Sequence, residues 1–112
     1  MSRDIERVEY RRGMLESRDK RDALPVRTWT AAELPESARN SIQEEGILDL
    51  GGVYGDPDAG DPVEYDQLRL VGPDGVVEIE FFNRGITLFM TDDERFRRIH
   101  RVLCNLDGAV GS

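Results

Sequence analysis

Residues 63–82 constrain this chain most. Two runs rich in β-branched and aromatic side chains, VEYDQLRLV and VVEIEFF, flank Gly72-Pro73-Asp74-Gly75. Proline presets the first corner of a tight turn, and glycine takes the positive φ that a later corner needs. The pattern predicts an antiparallel hairpin pairing 63–71 with 76–82, with Val77, Ile79 and Phe81 inward and Glu78 and Glu80 outward. A lone hairpin is marginal in water, so other elements must cover its apolar face.

The rest of the chain offers that cover. Asn83-Arg84-Gly85 turns into a third strand at 86–90. Thr91-Asp92-Asp93-Glu94 has the pattern of a capping box, in which hydroxyl and carboxylate satisfy exposed helix N–H groups. It opens a helix over 92–106 with an apolar stripe of Phe96, Ile99, Leu103 and Leu106, and Val102 beside it. Residues 25–30 alternate as a strand does, Val26, Thr28 and Thr30 facing one way and Arg27 and Trp29 the other. Leu34-Pro35 opens a helix over 35–45 that stops at Gly46. Residues 4–10 fit a strand or a short helix. The charge-rich stretch 11–24 reads as a loop or mobile hairpin tip, 51–62 as a long glycine- and aspartate-rich loop, and 107–112 as a frayed tail. The 112 residues make one domain, 1–112. The expected fold is α+β: an antiparallel β-meander of three to four strands packed against two amphipathic helices.

Charge narrows the partners. The formal net charge is −8, and residues 29–90 alone carry −10. Phosphate contacts need clustered Arg and Lys, so the balance argues against nucleic acid. It fits a basic patch on another protein, and it also fits plain solubility or a salt-adapted proteome. Arginine outnumbers lysine fourteen to one. No apolar run approaches the length of a membrane span and no signal-peptide pattern is present, which gives the expectation of a cytoplasmic protein without membrane contact.

Chemistry-bearing motifs are scarce. His100 and Cys104 are the only histidine and cysteine, four residues apart on one helix. They could share a face, but a zinc site needs two more ligands. A nucleophilic cysteine profits from a helix N-terminus, whereas Cys104 lies near a C-terminus. The expectation is a boundary histidine and a small buried thiol. The loop Asp56-Pro57-Asp58-Ala59-Gly60-Asp61 is acidic enough to interest a hard cation, yet it departs from the EF-hand pattern. Glu78 and Glu80 share a face expected to be solvated. These readings lead to a protein that is not an enzyme and needs neither metal nor cofactor.

Two surfaces remain. The loop 51–62 carries Asp56, Asp58 and Asp61 without a base, and Tyr54 could anchor in a partner pocket. The segment 11–27 carries Arg11, Arg12 and further cations, with Trp29 just beyond. Loops this long are usually functional or disordered. The expectation is a small acidic protein-binding module whose partner presents a basic patch or a cleft. The alternative is a non-catalytic accessory subunit of a larger complex.

The order of elements also resembles a known family. VEYRRGM, TWTAAELPESARNSI, ILDL and YDQLRL, followed by a second strand and a terminal helix, span roughly residues 5–106. In this they resemble emfourin-like inhibitors of thermolysin-type metallopeptidases. The resemblance implies a protein that plugs a protease cleft with loops and carries no cofactor. It assigns no individual inhibitory residue.

Overall fold

The computed structural model describes residues 5–16, 23–55, 63–73, 75–84 and 93–110. Five strands, β1 (Arg7–Leu15), β2 (Val26–Thr30), β3 (Gly52–Gly55), β4 (Val63–Gly72) and β5 (Gly75–Phe82), join two helices, α1 (Glu36–Glu44) and α2 (Glu94–Val110). A 3₁₀ turn, Ile47–Asp49, follows α1. The strands form one mixed sheet in the order β2-β1-β4-β5-β3.

The hairpin forms as the turn chemistry demands. β4 and β5 pair antiparallel, with Val71 opposite Val76 and Tyr65 opposite Phe82. The remainder corrects the expected meander in three places. β1 is a nine-residue strand between β2 and β4, so residues 11–15 are strand, not loop. Its charges misled because Arg7, Glu9 and Arg11 occupy the sheet face opposite Val8 and Tyr10. There Arg69 meets Glu9 at 3.0 Å and Glu78 at 3.4 Å, across three strands. Gly13 does not break the strand; Leu24 occupies the space its Cβ would need. Second, residues 52–55, expected in a loop, form β3, which runs parallel to β5. Third, α2 continues to Val110 and takes in residues expected to fray. The expected strand 86–90 lies outside the described residues.

Both helices contribute to the main core on one face of the sheet. Leu34, Ala38, Ile42 and Ile47 meet Val8, Leu68, Leu70, Ile79 and Phe81, while α2 adds Ile99, Val102, Leu103 and Leu106. Phe96 is half-buried and packs edge-on to Phe81. The opposite face is not uniformly solvated. Leu15, Val63, Tyr65 and Phe82 make a second cluster there, closed by Leu24. Glu80, expected outward in water, is buried beside it and accepts a 3.0 Å hydrogen bond from the Tyr65 hydroxyl; Glu78 is exposed.

Leu103 is 1% exposed, in the middle of the α2 stripe. Leu103→Ala is expected to cost about 2–5 kcal/mol in a urea melt, the range for a leucine whose cavity does not collapse. A loss under about 0.5 kcal/mol would contradict this packing.

Candidate functional site

One end of the sheet is unusually constrained. Gly55 and Tyr65 flank Phe82 on opposite sides, one from β3 and one from β4. Gly55 adopts φ +83°, and a Cβ there would drive into the Phe82 carbonyl. Just beyond β5, Asn83 sits at φ 52°. Its N–H donates to the Glu64 carbonyl at 2.8 Å, and its side-chain oxygen accepts from the Glu64 N–H at 3.3 Å. Val63 is held in the second cluster. Gly55 and Val63, the described residues on either side of 56–62, are thereby held in packed structure. Asp56, Asp58 and Asp61 themselves lie outside the described residues.

The other residues singled out by the sequence are distributed as follows. Tyr54 is buried; its ring stands edge-on to Phe96 at 5.3 Å, and its hydroxyl donates to the Leu50 carbonyl at 2.5 Å. It serves the core, and would have to leave that packing to anchor in a partner. Trp29 is half-buried against the main core. Arg11 stands on the outer sheet face opposite Gln67 and Val26. Arg12 turns to the core side, where its Nη1 lies 2.8 Å from Asp107. The structure therefore does not gather these residues into one patch.

It gathers a set the sequence reading missed. Tyr10, Arg12, Asp66, Arg84 and Asp107 converge from β1, β4, the end of β5 and α2. The Tyr10 hydroxyl is 2.7 Å from Asp66 Oδ1 and 2.6 Å from Asp107 Oδ1. Arg84 Nη2 donates to Asp107 Oδ2 at 2.9 Å. Asp66 and Arg84 are almost wholly enclosed, at 1% and 4% exposure. Burial pushes the Asp66 carboxyl above its ordinary pKa, against the pull of Arg84, Tyr10 and Arg12. Burial works the same way on Asp107, but hydrogen bonds from Tyr10 and Arg84 and the charges of Arg84 and Arg12 outweigh it, leaving that carboxyl below its ordinary value. A signal was present: Asp66 shares strand parity with Leu68 and Leu70, which puts an ionisable group on the apolar face.

His100 and Cys104 do share a face of α2, with Sγ 3.4 Å from Nε2. The thiol is exposed, a correction to the expected buried one. It opens on a shallow groove between the helices lined by Ser37, Ser41, Glu45 and Arg101. Among the described residues no group of three or more His, Cys, Asp or Glu is placed to hold a metal ion. No described helix is long and apolar enough to cross a membrane.

Among the described strands, the two edges of the sheet are blunted. At β2 the Thr30 N–H donates to Glu33 Oε1 at 3.2 Å, which closes one end of the strand. At β3 only four residues pair, and both terminal glycines hold positive φ. Short edges and local capping of this kind discourage strand addition.

No family model matches the chain, and no curated protein or solved structure shows significant similarity to it.

Proposed function

We propose that this chain is a small acidic protein-binding module, not an enzyme, and that it engages its partner through the segment carrying Asp56, Asp58 and Asp61. The observation that supports the reading is the fixation of both flanks of that segment, Gly55 against Phe82 and Val63 within the second cluster. A segment with two prolines, Pro57 and Pro62, between fixed flanking residues has less conformational freedom to lose on binding than one between free flanks. Three carboxylates in a segment whose sequence holds no base suit a basic patch or a metal-containing cleft. The likeness to emfourin-like proteins in VEYRRGM and YDQLRL gives a concrete first target, a thermolysin-type metallopeptidase.

The test is an inhibition assay against such a peptidase, with the chain and its Asp56/Asp58/Asp61→Asn variant. Inhibition by the parent is expected, weakened about tenfold or more in the variant and falling with added salt. Inhibition that is equal in both proteins, at every salt concentration, would remove the acidic segment from the interface. Absence of any inhibition would remove the peptidase. The same variant pair, used to compare retention of candidate partners on a column, then tests the broader binding reading.

A further inference from the structure

We propose that Asp66 carries a proton at neutral pH and donates it to Tyr10, whose own hydrogen goes to Asp107, so that a directed chain of hydrogen bonds latches the end of α2 to the sheet. Three observations carry this. A phenol has one hydrogen, yet two carboxylate oxygens lie 2.7 and 2.6 Å from the Tyr10 oxygen. Only one of them can accept it, so the other contact needs a hydrogen of its own. Next, the cations have chosen. Arg12 Nη1 and Arg84 Nη2 lie 2.8 and 2.9 Å from Asp107, but Arg12 Nε and Arg84 Nε stand 3.8 and 3.7 Å from Asp66, too far for hydrogen bonds. Last, Asp66 Oδ2 is buried and accepts no hydrogen bond. An ionised carboxylate would leave that oxygen unsatisfied at high cost, whereas the carbonyl oxygen of a carboxylic acid tolerates it better.

The groups facing this chain, among the described residues, are Tyr10 and Arg12 from β1, Asp66 from β4, Arg84 after β5, and Asp107 and His100 from α2. Asp107 thus takes the full negative charge between two guanidiniums, and Tyr10 passes polarity from one strand to the helix. The two carboxyls respond to pH with opposite sign. The folded pKa of Asp66 is raised, so its contribution is fully present below the unfolded value of about 3.9 and is lost as pH rises through the folded value. The folded pKa of Asp107 is depressed, so its contribution is present above the unfolded value and is lost as pH falls through the folded one. Deprotonating Asp66 sets two carboxylates against one phenolic hydrogen, which loosens the last turns of α2.

Asparagine separates the two roles, because its amide N–H mimics a protonated carboxyl as donor but cannot replace a carboxylate as charged acceptor. Asp66→Asn is expected to keep the thermal midpoint within about 3 °C of the parent at neutral pH and to flatten the decline toward alkaline pH. Asp107→Asn, which leaves Arg84 without its close anionic partner, is expected to lower the midpoint by about 10 °C or more. A fall in Asp66→Asn as large as that in Asp107→Asn would overturn the proposal. The side-chain carboxyl ¹³C shift of Asp66 in the parent decides the matter should the variant not fold. A shift typical of a carboxylic acid at neutral pH supports the latch, and one typical of a carboxylate refutes it.

Discussion

Phe81→Ala is expected to cost about 3–5 kcal/mol, a large part of the stability of a domain whose total lies at about 5–15 kcal/mol. Phe81 is fully enclosed, and its strand lies between β4 and β3. Its ring packs against Tyr54 at 6.0 Å and Phe96 at 5.5 Å, joining β3 and α2 to the sheet. Aromatic contacts of this tilted and edge-on kind add about 0.5–1.5 kcal/mol to area burial. Truncation therefore opens a cavity and removes two ring partners together. Urea unfolding measures the loss, read as a lower midpoint at unchanged slope. A cost below about 1 kcal/mol would show that the three rings do not form the joint described here.

How far the fold was legible follows from how local its causes are. The β4–β5 hairpin is legible because the turn chemistry lies between the two strands that it joins. Both helices were visible because their apolar stripes repeat within one element. β1 is only half legible: residues 4–10 fit a strand or a short helix, but 11–15 look like a loop because their partner in β4 is remote and their outward charges carry no local strand signal. The Glu9–Arg69–Glu78 row that explains them spans residues far apart in sequence. β3 was hidden for a related reason. GVYG holds only two strand formers, Val53 and Tyr54, between glycines, and its extended state depends on a parallel partner and on a buried tyrosine. The latch around Tyr10 was half legible. Parity placed Asp66 among apolar neighbours, but nothing local pointed to Asp107 or Arg84 as its company. The acidic segment was legible as composition alone; what the structure adds is the anchorage on either side of it.

Gly55 lets that anchorage be tested without touching a carboxylate. Gly55→Ala is expected to destabilise the fold by about 2–5 kcal/mol, two costs acting at once. A side chain at φ +83° is disfavoured by about 1–2 kcal/mol. Its Cβ would also strike the Phe82 carbonyl, a backbone atom that cannot rotate away, and overpacking of this sort costs about 1–3 kcal/mol. Relief requires β3 to move off β5, which displaces Gly55, the residue that precedes the acidic segment in the sequence. Gly46 supplies the control. It too holds a positive φ, 63°, but a Cβ there meets nothing within 4 Å. Gly46→Ala should therefore lose only the conformational part, about 1–2 kcal/mol. Denaturant melts of the two variants give the difference, which belongs to the Gly55–Phe82 contact. If the proposed interface depends on fixed flanks, Gly55→Ala also weakens partner binding under conditions where the variant remains folded, and Gly46→Ala does not. Equal melts for both substitutions would mean that β3 yields freely at Phe82, and the segment 56–62 would then lose the rigid support on which its assignment as the interface rests.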